Sequence, residues 1–540
     1  MKQTGHRNSV LTWLADWRRF CLLLTLLFLV RGVFVLTILP PLEGWDEYQH
    51  IARLAFQDET GKSPAIGDRP DVPHSLFQTL RRFPNSETSR SHTSRFGGRT
   101  YGDFWTTTDT PANVNDDVSI FLYQSQQGPL YYRCMTPLYH FLDFVGHPLR
   151  TIAVLRLVNL LFGAMAIYVA LRCVGGAMRP GVDRYLLAIL ISLQPLFLLN
   201  TARVANDAMA VFFGTLFIAI LLRRGSRHWM ATSLAAGVLL GLGVLAKATI
   251  APLALLGIFA TLIRPPEACR SPGRRSAALL LLVLGAAAVL SVPLYQNFQR
   301  YGAPFPMQET VNNQQSGKGV GATLTTAFDI NWWRELGRRY LRHSLWVGGW
   351  SYLKPAKFFV WLQEAVIVIA AVGWLALLRR STRRRACVME DRRFLDGAIV
   401  VSISMALGIG YHMIQSQMST GWIATNIWYA AVSFPFLLCL VYQGIDFFGA
   451  RWLNVIATSL LAGVFVMAEV HGALCVMVPE YTAHAWGDVA RERLRTLHWP
   501  LLGPTLTIPA LIAIACLLAL AVAGAIRGAA AQESSGDSAS

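Results

Sequence analysis

Charged residues are scarce in this sequence. They occupy 15% of its 540 positions, against about a quarter in soluble proteins. Acids are scarcer than bases, 31 against 48, which leaves a net charge of +17. No basic-and-aromatic array of a nucleic-acid module accompanies that charge. It is read as helix-end charge meeting anionic lipid, and nucleic acid is not an expected partner. The eight cysteines show no CxxC or Cys/His spacing that would suggest zinc. No small-residue cleavage site follows the first apolar run, where Leu39, Pro40 and Pro41 stand, so that run is read as a retained helix and not as a cleaved signal.

Apolar residues are abundant: 54% of the chain is hydrophobic and the mean hydropathy is +0.40. They come in long runs, and a run of about 20 residues crosses the ~30 Å hydrocarbon core as a helix. The expected spans are residues 20–40, 151–171, 185–199, 208–222, 230–263, 277–294, 358–378, 394–413, 428–445, 452–471 and 505–526. The 230–263 stretch reads as two helices broken near Lys247. The predicted fold class is therefore an all-α polytopic membrane protein with about twelve transmembrane helices and large outer loops. A short N-terminus, 1–19, precedes a module at 20–445 that includes the polar loops 41–150 and 295–357. Further helices at 446–527 enclose the loop 472–504, and the small, polar tail 528–540 reads as disordered.

The short connections set the expected orientation. Arg172 and Arg179, Arg223, Arg224 and Arg227, Arg264 through Arg275, Arg379 through Arg385, Arg451 and Arg527 all fall on one side if there are twelve helices. The positive-inside rule makes that side cytoplasmic, and Lys2, Arg7, Arg18 and Arg19 put the N-terminus there. Both termini are then cytoplasmic and the three long polar stretches lie outside. Cys134 and Cys475 would share that outer side, which permits a disulfide without showing one.

Several outer residues could carry chemistry. Gly44-Trp45-Asp46-Glu47-Tyr48-Gln49-His50 follows the first helix. Two adjacent carboxylates at a membrane surface need a polar cavity, a metal or a partner. One could act as general base on a hydroxyl, and the two, with Asp207, could hold Mg2+ or Mn2+. A plain helix start favoured by the helix dipole is the alternative. His50 shares a helical face with Glu47. Gln127-Gly128-Pro129-Leu130-Tyr131-Tyr132 is a turn followed by two rings, and an interfacial aromatic belt would explain it equally. Arg203-Val204-Ala205-Asn206-Asp207 lies in a turn where Asn-Asp could simply cap a helix. Lys247 stands within an apolar segment, either to bind an anion or to snorkel. Arg338, Arg339, Arg342, His343, Trp346, Trp350 and Lys354 form an outer Arg/Trp group, suited to phosphate and a prenyl chain or sugar face, or to interfacial anchoring.

In order and side, these motifs resemble the GT-C superfamily of glycosyltransferases that use polyprenyl-phosphate sugars. The resemblance rests on Asp46-Glu47, Gln127-Gly128-Pro129-Leu130-Tyr131-Tyr132, Asn206-Asp207, Gly241 through Lys247, Pro293 through Phe298 and Tyr301-Gly302. Leu345-Trp346-Val347-Gly348-Gly349-Trp350 and the Asp-Glu-x-x-His form of the first motif are similar to an uncharacterised bacterial membrane-protein family related to the dolichyl-phosphate-mannose protein mannosyltransferases. Two departures stand out: Gln127 replaces a His, and Trp428 replaces an Arg before the tenth helix.

The resemblance implies an inverting hexosyl- or pentosyltransferase of a bacterial inner membrane. It would move a sugar from a lipid-linked donor to a glycan, lipid or protein acceptor on the outer face. Asp46 or Glu47 would be the base. His50, Gln127, Tyr131, Arg203, Asn206, Asp207, Lys247, Arg339, Arg342, His343, Trp346 and Trp350 would bind substrate. A flippase or transporter of lipid-linked glycan, and an inactive assembly protein, are the rival expectations, although no related halves are visible.

Overall fold

The computed structural model describes residues 14–39, 41–65, 70–76, 79, 121–222, 228–345, 355–379, 389, 391–477 and 504–537. Among these the regular structure is helical, with two isolated bridges, Asp71–Phe121 and Met178–Met389. Helix α1, Trp17–Ile38, starts where the Asp16 carboxylate accepts the Arg19 N–H at 3.0 Å. The helices α2 (Glu47–Thr60) and α3 (Leu130–Phe141) come next, then α4 (Pro148–Ala177), which opens on a proline suited to a first helical turn. Gln194 before Pro195 is pushed into an extended conformation and breaks the third apolar stretch into α5 (Val182–Leu193) and α6 (Pro195–Thr201), bent by 45°.

Helix α7, Asp207–Leu222, is followed by α8, Trp229–Ala246. Lys247 is extended, and it leads into a mixed 3-10, α and π segment, α9 (Ala248–Ile263). The expected break near Lys247 is therefore present. Next come α10 (Pro272–Tyr301), α11 (Gln308–Gln315), α12 (Val320–Asp329) and, after a π-helical turn, α13 (Arg339–His343). The last apolar helices are α14 (Lys357–Arg379), α15 (Arg392–Thr420), α16 (Ile427–Asp446), α17 (Arg451–His471) and α18 (Pro504–Asp537).

Nine helices among the described residues are long and apolar enough to cross a membrane, or ten with the bent α5–α6 pair; α7 and α9 are shorter apolar helices. Each apolar run expected from the sequence thus forms a helix. The tail is a correction: it was expected to be disordered from residue 528, but α18 continues to Asp537. Ala529, Ala530 and Ala531, strong helix formers, carry it on. No disulfide joins Cys134 and Cys475, which are both exposed free thiols.

Large side chains such as Leu284 and Ile512 stay exposed on the outside of the bundle, as lipid contact requires. Inside, small residues allow close approach. A Cβ on Gly237 of α8 would lie 2.0 Å from the Leu282 carbonyl oxygen of α10, so only glycine fits that contact. Arg31, the lone charge of α1, is buried. It pairs with Glu469 of α17 and donates to the Leu193 carbonyl at 2.9 Å and to that of Ser192, the open end of α5. These bonds tie α1 to α5 and α17, and the polar turn 41–46 follows the end of α1.

Candidate functional site

Asp46 ends that turn in the left-handed conformation, φ 54° and ψ 11°, which a short polar residue tolerates better than most. Its main-chain oxygen accepts the His50 N–H at 3.1 Å, but its carboxylate does not cap α2. That carboxylate is half-buried and accepts a hydrogen bond from the Tyr123 hydroxyl. It forms no ion pair among the described residues, while Arg203 and Lys247 lie within electrostatic reach. Burial raises its pKa above the usual carboxylate range, and the Tyr123 bond and the two cations offset this only in part.

Glu47 stands in different surroundings. It is fully buried and its Oε1 accepts from Arg156 Nε at 2.7 Å and from the Val204 N–H at 2.9 Å. Its Oε2 accepts from Arg156 Nη2 and from the Gly44 N–H at 3.1 Å. Every lone-pair direction is engaged, so Glu47 joins α2, α4 and the turn before α7 as a charged clamp.

That second turn holds a triad. Lys247 Nζ donates to both Asp207 oxygens at 2.8 Å, and Arg203 Nη2 donates to Asp207 Oδ2 at 3.0 Å. Arg203 also donates to the Trp45 carbonyl, and to Asn200 Oδ1 at 2.8 Å. All three are buried, so Lys247 does not snorkel, and Asp207 does more than cap a helix. Asn206 Nδ2 reaches Gln127 Oε1 at 3.0 Å and the Ala246 carbonyl at 2.8 Å. This brings the turn before α3 onto the end of α8. A Cβ on Gly128 would meet the Leu245 carbonyl oxygen at 2.0 Å, so this approach also needs glycine.

The rings complete the enclosure. His50 Nδ1 and the Tyr132 hydroxyl are 2.7 Å apart. Burial first, then Lys247, Arg203 and Arg53, holds the His50 pKa well below its ordinary value, so the imidazole is neutral. Arg53 lies 4.0 Å over the Tyr132 ring and donates to the Gln124 and Gln127 carbonyls at 2.7 Å. Asn159 Nδ2 joins Tyr131, at 3.1 Å, to the Ala205 carbonyl, also at 3.1 Å. Trp428 packs on Trp45, with the Arg203 guanidinium 6.0 Å from its ring. It is buried and fills space beside the triad with an apolar face.

The structure thus brings Asp46, Glu47, His50, Gln127, Tyr131, Arg203, Asn206, Asp207 and Lys247 into one network. Arg342 instead lines a separate cavity with Pro355, Lys357, Val360, Trp361 and Glu364. His343 ends α13, Arg339 is described only as backbone, and Trp346 and Trp350 lie outside the described residues.

Residues 27–426 match the family described as "Predicted membrane protein (DUF2142)". The chain belongs to that family. No curated protein matches this DUF2142 chain. Among solved structures it is similar to ArnT from Cupriavidus metallidurans bound to undecaprenyl phosphate, with 14% identity and a TM-score of 0.43, covering 95% of this chain and 78% of that one. It is also similar to the Archaeoglobus fulgidus oligosaccharyltransferase complex with Zn and sulfate, with 15% identity and a TM-score of 0.31, covering 66% of this chain and 45% of that one. At these TM-scores neither structure fixes a chemistry for the DUF2142 chain.

The expected metal ligands do not fit a divalent cation as they are arranged. Asp207 and Glu47 already give their oxygens to Lys247, Arg203 and Arg156, and only Asp46 keeps capacity. Among the described residues no three His, Cys, Asp or Glu side chains converge as metal ligands. Sequence reasoning missed Arg156, Asn159, Arg53 and Tyr123, and it named Tyr132 within its motif without giving it a part in the site. Arg156 and Asn159 were findable: a charge and an amide three positions apart inside an apolar run share one helix face. Tyr123, in contrast, reaches the site through a turn that no periodicity marks.

Proposed function

We propose that this protein transfers a sugar from a polyprenyl-phosphate donor to the hydroxyl of a glycan, lipid or protein acceptor, on the outer face of a bacterial inner membrane. The GT-C-like order of its motifs supports the class. The observation that carries the chemistry is Asp46: a half-buried carboxylate without an ion pair among the described residues, within electrostatic reach of the buried cations Arg203 and Lys247.

In this reading Asp46 takes the proton of the acceptor hydroxyl as its oxygen bonds to the anomeric carbon. The bond from that carbon to the donor phosphate oxygen breaks, the configuration inverts, and polyprenyl phosphate leaves with the electron pair. Lys247 has one ammonium proton beyond the two given to Asp207. Arg203 Nε is buried with no hydrogen-bond partner among the described residues. Both cations lower the free energy of the departing phosphate charge. Glu47 holds the turn and touches no substrate.

Purified wild-type protein in liposomes, supplied with labelled polyprenyl-phosphate sugars and an acceptor extract, tests the reading. Release of polyprenyl phosphate supports it. Movement of the intact lipid between leaflets without cleavage would make the protein a flippase.

A further inference from the structure

The wall of the site beyond Lys247 has no role in this scheme. The Tyr429 ring lies with its centroid 4.9 Å from Lys247 Nζ, and His412 packs edge-on against it at 5.2 Å. His412 Nδ1 is held 2.6 Å from Thr425 Oγ1, which fixes the ring and leaves Nε2 facing away. Helix α11 docks on α15 beside them. Asn313 Nδ2 donates to Gln415 Oε1 and to the Gln415 carbonyl, each at 3.0 Å, and Asn312 Nδ2 reaches Ser419 Oγ at 3.4 Å. Glu309 lies four positions before Asn313, on the same face of α11. His412 lies three positions before Gln415 on α15. Glu309 is accordingly within electrostatic reach of His412, and Tyr429 is within reach of both Glu309 and Asp46.

Tyr429, His412 and Glu309 are each half-buried. Neither the Tyr429 hydroxyl nor the Glu309 carboxylate has a hydrogen-bond partner among the described residues. A phenol, an imidazole and a carboxylate, each half-buried and grouped beside the Lys247 cation, match a polyhydroxylated ring attached to an anion. A carboxylate accepts two adjacent hydroxyls at once, and charge-assisted bonds of this kind are the stronger ones.

We infer that Tyr429, His412 and Glu309 form the subsite that recognises the donor's sugar, an uncharged pentose or hexose with two adjacent hydroxyls, while Lys247 takes the neighbouring phosphate. This rests on the proposed donor class and deepens it. Glu309 and Tyr429 would bind the part of the donor that is transferred, and Asp46 would act on the acceptor.

The test is binding. The full chain in nanodiscs is titrated with a panel of polyprenyl-phosphate pentoses and hexoses and with sugarless polyprenyl phosphate. Wild type is expected to prefer one sugar-bearing lipid. Glu309→Gln and Tyr429→Phe, both near-isosteric, are expected to weaken that lipid about tenfold each and sugarless lipid less than about twofold. Equal losses for both lipids, or no loss, would overturn the subsite while leaving the donor class standing. Wild type that binds no sugar-bearing lipid more tightly than the sugarless one would overturn the donor class and the subsite together.

Discussion

Glu47 gives both carboxylate oxygens to Arg156 and to two main-chain amides, whereas Asp46 holds one hydrogen bond, from Tyr123. The neighbours should therefore respond oppositely to substitution. Removing one partner of a fully buried ion pair strands the other charge, so Glu47→Gln or Arg156→Met is expected to cost about 3–5 kcal/mol, read from thermal or denaturant unfolding in detergent. At Asp46 the sign reverses. Burial raises the folded-state pKa, so the folded protein holds this proton more tightly than the unfolded chain. Stability then falls as pH rises from the unfolded carboxylate pKa through the folded one. Asp46→Asn removes that loss and is expected to raise the unfolding temperature at neutral pH, with the gain vanishing in acid. The proposed base role would make the same pKa visible in activity: if the ionised Asp46 carboxylate takes the acceptor proton, the ascending limb of kcat/KM against pH should lie above the usual carboxylate range. Tyr123→Phe removes a bond that favours the charged form, and it should move that limb further toward alkaline pH. An unmoved limb would take the base role from Asp46.

At the scale of elements, the apolar helices were legible because a membrane span needs little more than length and hydropathy. The α8–α9 break was legible too, since an uninterrupted helix would have placed the Arg cluster 379–385 on the wrong side. The site was legible in part. Asp46, Lys247 and Asp207 stand out as charges beside apolar runs, but nothing in spacing shows that Asp207 belongs to Lys247, 40 positions on. Nor does it show that Glu47 belongs to Arg156, 109 positions on. Pairing across elements is a property of packing, and that is why the two carboxylates looked equivalent in sequence. The Gly128 turn is one such packing point. Gly128→Ala would push the start of α3 off α8, lengthen the Gln127–Asn206 contact and lower stability by about 1–3 kcal/mol. Hydrogen exchange should show that loosening at residues 121–141.

For the whole molecule, the family match ends at residue 426, yet the bundle depends on residues beyond that point. Glu469 neutralises Arg31, and Trp428 and Tyr429 line the site. Glu469→Ala is therefore expected to destabilise the entire bundle, and Arg31→Met with Glu469→Met together to recover most of the loss, as a double-mutant cycle in unfolding measurements would show. The central claim joins this architecture to one carboxylate. It is tested most directly by release of polyprenyl phosphate from a lipid-linked sugar by wild type and by Asp46→Asn, each first shown to be folded by its unfolding temperature. The expected result is release by wild type and a drop of about 10²–10⁴-fold in the equally or more stable variant. Equal release by both proteins, or none by wild type across pentose and hexose donors, would contradict it.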